Sequence, residues 1–370
     1  MTGNGDALDR VRMKLQAEGA AMTLNPSIVA ALAAALLFGA STPFAKALVG
    51  GVPPILLAGL LYAGSGVGLW VVRVARKAGR ERTTRLSSAE WPWFVGAIVA
   101  GGVLGPILLM YGLTRTSAAD ASLLLNLEAV LTALLAWIVF HENADRRIVL
   151  GMALIVAGGL VLAWPAAGAG RTSVLGALSV AGACACWALD NNLTRRVSGS
   201  DPLFIAGTKG LVAGITNIAL ALALGAQWPP PAWSAAAMAV GFVGYGVSLV
   251  LFVLALRGLG SARTGAYFST APFVGAAIAI IAFGEPVWWP FWLAAGLMAA
   301  GVWLHLTEVH EHEHEHEPLT HTHAHRHDAH HQHEHAFEWN GHEPHTHEHS
   351  HEPLVHRHPH YPDVHHRHGH

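Results

Sequence analysis

Ten apolar stretches of membrane-crossing length follow one another between residues 27 and 306. They lie at 27–48, 53–74, 91–112, 118–140, 148–164, 174–194, 202–224, 233–256, 264–283 and 287–306. A helix needs about 20 apolar residues to cross a bilayer core, and tilt and flanking aromatic residues accommodate shorter ones. The links between stretches are short, so neighbours pack antiparallel. The pattern predicts an all-α membrane protein with ten transmembrane helices. Residues 1–26 carry Asp6, Asp9, Arg10, Arg12 and Lys14 and read as a polar leader; residues 307–370 have no apolar run at all.

The apolar pattern also repeats. A shift of 143 residues lays Glu142 of FHENADRR on Glu285 of FGEPVWWP, Phe140 on Phe283 and Gly158 on Gly301. The runs 118–140 and 264–283 then coincide without a gap. A shift of 149 lays LLFGASTPFAK at 36–46 over ACWALDNNLTR at 185–195. The chain therefore reads as two five-helix units, 27–164 and 174–306. Five is odd, so the second unit is expected to sit upside down relative to the first. Inverted repeats place a transport site near mid-membrane between the halves.

Charge adds an orientation and separates the tail. Charged residues make up 12% of the chain, against about 25% in soluble proteins. Residues 308–370 hold 12 of the 24 acids, 24 of the 26 histidines and three arginines, which leaves 19 basic and 12 acidic side chains before them. With the N-terminus in the cytoplasm, 15 Lys and Arg fall in the leader and inner loops, among them Arg73, Arg76, Lys77, Arg146 and Arg147. Only Arg115 and Arg171 fall outside. The positive-inside rule thus predicts a plasma (inner) membrane protein with both termini cytoplasmic. Lys46 and Lys209, near span ends, are expected to snorkel to the headgroups, with pairing to Glu128 or Asp190 as the alternative. Cys184 and Cys186 give no disulfide framework.

Two five-helix units, each with a span, a short Glu-bearing turn (His141–Glu142, Gly284–Glu285) and a Gly-rich last span, resemble the EamA-type permeases of the drug/metabolite transporter superfamily. The resemblance covers about residues 27–306. It implies a ten-helix permease, commonly an exporter of small polar metabolites and often driven by an ion gradient. Such first repeats often carry proline after the residue matching Glu128. Here that position is Ala129, while the second repeat keeps Pro272, so the first repeat is expected to lack a kink.

The candidate chemistry lies in the fourth and sixth spans. Glu128 stands near the centre of its apolar run, where a carboxylate needs a partner, a proton or water. It is the first candidate for a proton carrier or a cation-binding group, with a structural acid as the alternative. Asn126, two residues away on the helix, reads as interhelical glue or as cavity lining. Cys186 and Asp190 are four apart and share a face. Asp190, Asn191 and Asn192 could contact a substrate ammonium or simply close a helix end. Ser41, Thr42 and Pro43 occupy the matching place in the first repeat, where proline removes a backbone donor and bends the helix. Gly64/Gly68, Gly101/Gly105 and Gly210/Gly214 read as close-packing pairs. No phosphate loop, zinc-protease helix or nucleophile elbow occurs, so an enzyme is not expected. The basic loop at 73–85 reads as orientation and lipid contact rather than nucleic-acid binding.

The tail carries a different chemistry. His310, His312, His314 and His316 alternate with glutamate. His321, His323, His325 and His327 follow, then His330, His331, His333 and His335, then His345, His347, His349 and His351. This composition cannot build a packed core and predicts disorder. Histidines at i and i+2 on an extended chain project to one side and make a chelate. Neutral imidazole suits Ni²⁺, Zn²⁺, Co²⁺ and Cu²⁺. A tail that responds only to pH is the alternative.

These features predict a secondary transporter of a small metabolite, ion-coupled and without a required cofactor, whose tail buffers or senses divalent metal. Two alternatives stay open: a transporter of a divalent metal or its chelate, and a membrane-anchored metal reservoir without transport. Monomer and homodimer are both compatible with the sequence.

Overall fold

Proline sets where many of the helices begin, because its fixed φ suits the first helical position and its missing N–H is not needed there. The computed structural model describes residues 26–76, 86–140, 146–164, 173–195, 197, 202–306, 310–316, 320–325, 345–350 and 354–360. The chain divides into two units, Met1–Thr307 and Glu308–His370. The first is helical. Its first half holds α1 (Pro26–Val49), α2 (Pro54–Arg76), α3 (Trp91–Ala97), α4 (Gly105–Leu113), α5 (Ala118–Leu124), α6 (Leu127–Phe140) and α7 (Arg146–Ala163). The second holds α8 (Val174–Arg195), α9 (Pro202–Ala223), α10 (Pro231–Gly241), α11 (Ser248–Phe268), α12 (Ala271–Ile281) and α13 (Trp289–Leu306). Among the described residues eight helical stretches are long and apolar enough to cross a membrane, and Ala271–Ile281 and Trp289–Leu304 are shorter apolar helices.

The surface of this bundle is apolar, as lipid requires: Val71, Leu160 and Ile215 are 63–64% exposed. Trp91, Trp93, Trp228, Trp233, Trp288 and Trp289 are also exposed, at span ends, as an interfacial belt should be. Helices in lipid associate through close packing rather than water exclusion. A Cβ at Gly210 would lie 2.8 Å from the backbone of Gly66, so the α2–α9 crossing tolerates only glycine at this contact. Helix pairing is reciprocal between the halves. α2 packs on α9 and α10, and α7 packs on α13. α1 packs on α11 and α12, while α8 packs on α4 and α6.

Two irregularities recur in both halves. A π-helical segment, Ile98–Leu104, joins α3 to α4, and a second, Phe242–Val247, joins α10 to α11. The 143-residue shift lays the first on 241–247. The fourth span is also broken, at Leu125–Asn126, and the corresponding break in the second half falls at Ser269–Thr270. The expectation of an unkinked first repeat is therefore corrected. Asparagine, not proline, supplies the interruption: the Asn126 N–H and its side-chain amide both donate to the Leu123 carbonyl, at 3.0 and 2.9 Å. Such local bonding competes with the helical ladder.

A second correction concerns the loop expected between the eighth and ninth spans. α11 runs through residues 257–263 without a break. The stretch RGLGSAR contains no proline, and its glycines weaken a helix without ending it.

Glu285 has a role its sequence position did not disclose. It follows Gly284, whose φ of 65° turns the chain. Its two oxygens accept from the Ala118 and Ala119 N–H groups at 2.9 Å each, and Ser117 Oγ accepts from the Asp120 N–H. These are unpaired donors at the positive end of α5. Glu285→Ala is expected to cost about 1–2 kcal/mol, as loss of a good cap does, with Glu285→Gln intermediate, read as a lowered Tm in detergent. An unchanged Tm in the alanine variant would refute the cap. Glu142, its counterpart in the first repeat, lies outside the described residues.

In the second unit four segments are strands: β1 (His310–His316), β2 (Thr320–His325), β3 (His345–Ser350) and β4 (Leu354–His360). β1 pairs antiparallel with β4, and β2 with β3. Two-residue alternation of histidine with other residues gives such a strand two chemically distinct faces. His327, His330, His331, His333, His335 and His351 lie outside the described residues.

Candidate functional site

The π segment Ile98–Leu104 turns two adjacent carbonyls toward side chains of other helices. Gly101 O accepts from Tyr62 Oη of α2 at 2.8 Å and from Trp187 Nε1 of α8 at 3.0 Å. Gly102 O accepts from Asn217 Nδ2 of α9 at 3.0 Å. A π turn leaves the α ladder and is a recurrent functional feature. Glycine is needed here for contact: a Cβ at Gly101 would run into the Asp190 carboxylate, and one at Gly105 would press on the Trp187 indole. The expected packing role of Gly101/Gly105 thus becomes packing against polar side chains.

Asp190 is buried and pairs with Lys209 of α9, while Thr194 Oγ1 donates to its other oxygen at 3.0 Å. Lys209, expected to reach the headgroups, instead neutralises a carboxylate inside the bundle. One residue on, and about 100° around the helix, Asn191 turns to the opposite neighbour. Its Nδ2 donates to Glu128 Oε1 of α6 at 2.9 Å and approaches Thr132 Oγ1 at 3.4 Å. Adjacent residues of α8 therefore hold two carboxylates in different states. Asp190 has a cation; Glu128 has a neutral amide and, among the described residues, no salt-bridge partner. Glu128 is half-buried and Asn191 exposed.

The other sequence candidates separate into two groups. Ser41 and Thr42 are buried on α1, where Ser41 Oγ donates to Phe38 O at 2.6 Å and Pro43 lies within the helix. A Cβ at Gly244, in the second π segment, would press on Ser41. Tyr245 of that segment meets Tyr62 edge-on at 5.6 Å, so both π segments converge on the Tyr62 ring. Asn126 does not join Glu128. It is buried, with Met298 Sδ of α13 3.9 Å from its amide. Cys186 is half-buried, and Cys184 Sγ lies 3.7 Å from Leu124 O. Lys46 donates to the Leu113 and Thr116 carbonyls, closing the end of the third span rather than simply reaching headgroups. Sequence reasoning passed over Tyr62, Thr132, Asn217 and Tyr245, whose surroundings are apolar and unremarkable in one dimension. Asn217 carried a signal, an amide inside an apolar run; its Oδ1 is buried without a partner among the described residues.

A separate cavity of about 580 Å³ is lined by Ser117, Asp120, Leu160, Trp164, Trp288 and Trp289, among others, and does not include Glu128 or Asp190. Among the described residues of the helical unit, no group of three or more His, Cys, Asp or Glu side chains is assembled into a metal-holding cluster.

Comparison with known proteins agrees with this architecture. An uncharacterised transporter of Methanothermobacter thermautotrophicus is 27% identical over 285 residues, 73% of this chain and 82% of that protein. A probable 4-amino-4-deoxy-L-arabinose-phosphoundecaprenol flippase subunit ArnE of Pseudomonas aeruginosa is 38% identical over 117 residues, 29% of this chain and 93% of that protein. A solved crystal structure superposes with a TM-score of 0.56 at 21% identity, covering 76% of this chain and 96% of the other, which shows a shared fold. The model of the EamA-like transporter family matches twice, at residues 25–164 and 174–307. The chain belongs to the EamA-like transporter family, a family of multi-pass membrane transporters rather than enzymes.

Proposed function

We propose that the protein is an ion-coupled secondary transporter of a small metabolite that alternates access between two inverted five-helix halves. The termini are cytoplasmic in this reading, and export is the direction. Glu128 is the group that takes up and releases a proton or a cationic group. The observation that carries the reading is Glu128 itself: a half-buried carboxylate beside a helix break, held by a neutral amide, one α8 residue away from a carboxylate that is already neutralised. A carboxylate in that setting exchanges charge with whatever enters. Asp190 and Lys209 keep the wall of the cavity electrically closed, and the Ser41–Pro43 segment and Asn191 line the route. Recurrence of the π segments and helix breaks in both halves supports the inverted repeat, since paired discontinuous spans mark transporter sites. The flippase-subunit relative is named for an amino sugar, which suits a cargo with an amino group.

The histidine tail binds divalent transition metal and buffers or senses it. The full chain and a chain ending at Thr307 are to be screened for stabilisation by small amines, metabolites and Zn²⁺ or Ni²⁺, followed by flux assays in proteoliposomes. A metabolite that raises Tm in both chains and crosses the bilayer with them supports the transport reading. Metal effects confined to the full chain support the tail reading. Absence of flux for every compound that binds would overturn transport in favour of a membrane-anchored scaffold.

A further inference from the structure

In both ribbons of the tail the backbone register sets histidine opposite histidine. His310, His312 and His314 of β1 lie opposite His360, His358 and His356 of β4. His321, His323 and His325 of β2 lie opposite His349, His347 and His345 of β3. Positions two apart on a strand share a face, and so do directly opposed positions, with Cβ atoms about 4.5–5.5 Å apart. The first ribbon therefore gathers seven histidine positions on one face, His316 among them, and the second gathers six. The other face of the first ribbon receives Glu311, Glu313 and Glu315, opposite Pro359, Arg357 and Val355.

Charge pairing alone would not select this register. A slip of one residue would put Glu311 opposite His358 and Glu313 opposite His356, the better arrangement for protonated imidazoles. Like groups directly opposed repel when charged. When neutral, they are free to share a cation. Both ladders also keep one register, because the interval from His310 to Thr320 equals that from Ser350 to His360.

We propose that the tail is a metal-closed β-hairpin, in which divalent transition metal is held by cross-strand histidine quartets such as positions 310, 312, 358 and 360. This rests on the reading that the tail binds metal, and it adds where: between the two ends of the tail rather than within neighbouring His-x-His pairs. Four neutral imidazoles suit tetrahedral Zn²⁺ and, with other geometries, Ni²⁺ or Co²⁺. Closing so long a loop costs chain entropy, and the ion offsets it, so metal loading and strand pairing become one equilibrium. A tail of this kind reports metal by changing shape, which a string of independent chelates does not.

The test moves histidines without changing composition. In the full chain, β4 is altered by Val355→His, His356→Val, Arg357→His, His358→Arg, Pro359→His and His360→Pro, which leaves His-x-His spacing intact but turns the row to the other face. Because the ladders share one register, a slip that re-pairs the first ribbon breaks the second. Zn²⁺ and Ni²⁺ titrations are expected to find the tightest sites roughly tenfold weaker in this variant. Hydrogen exchange is expected to slow at 310–316 and 354–360 on Zn²⁺ addition in the parent and not in the variant. The matching exchange of histidine and glutamate between neighbouring positions 310 to 315 on β1 restores the opposition and is expected to restore both readouts. Equal affinity in parent and variant, or Zn²⁺ binding without slowed exchange, overturns the hairpin and leaves a tail of local chelates. If the full chain binds no more metal than the chain ending at Thr307, the metal reading of the tail itself fails.

Discussion

Lys209→Met is expected to destabilise the protein by about 3–5 kcal/mol, the usual cost of leaving a buried carboxylate without its cation. Lys209 and Asp190 are both largely buried, with side chains 18% and 7% exposed. Once the ammonium is gone, the Thr194 hydroxyl is the remaining donor to Asp190, and one neutral bond does not replace a charge. The double variant Asp190→Asn/Lys209→Met removes both charges and is expected to recover most of the loss, because replacing a whole buried pair is far cheaper than breaking one. Unfolding of the detergent-solubilised protein, read as Tm in a double-mutant cycle, gives the coupling directly. A single-variant loss of about 1 kcal/mol or less, the range of exposed pairs, would mean that the pair faces water and does not close the cavity wall.

Glu128→Gln is expected to leave Tm nearly unchanged and to reduce ion-coupled flux at least tenfold, about 1.4 kcal/mol in the rate-setting step. Glutamine keeps the shape and still offers Asn191 an acceptor, so the α6–α8 contact at 2.9 Å survives. What disappears is the ability to gain and lose charge. Uptake of the identified substrate into proteoliposomes, with proton movement followed in parallel, separates the two consequences. Proton movement is lost, while exchange of substrate for substrate, which needs no net ion transfer, is less affected. A glutamine variant that still moves protons with substrate would remove Glu128 from the coupling step.

Much of this architecture is written in one dimension. The ten apolar runs predict the spans because lipid imposes a length and a composition on each of them. The two Glu landmarks give the repeat spacing, and the π segments and the helix breaks recur within one residue of it. Glu128 and Asp190 stand out because carboxylates are rare in such runs. The partners are less legible. Lys209 lies 19 residues from Asp190 in sequence, and nothing in either run says that α8 and α9 bring them together. Tyr62 is an ordinary aromatic residue in an apolar helix until the glycine carbonyl it meets, 39 residues away, is known. The bond from the Asn126 side chain to its own backbone is illegible for the same reason, since it depends on local dihedrals rather than on pattern. The missing proline at Ala129 suggested a straight helix, whereas a break can be made by any side chain that outbids the ladder for a carbonyl.

The two π segments carry a further consequence. A wide turn holds one residue more than the α turn it replaces, so everything after it is rotated by about 100° from where an uninterrupted helix would place it. Deleting one residue between Ile98 and Leu104 would thus let an α turn form with Leu109 and Met110 still in the core, whereas straightening the segment at full length would twist the span and swing both out. Such a change would travel along the third span like a turned key, and the mirrored segment from Phe242 to Val247 gives the opposite half of the protein the same lock.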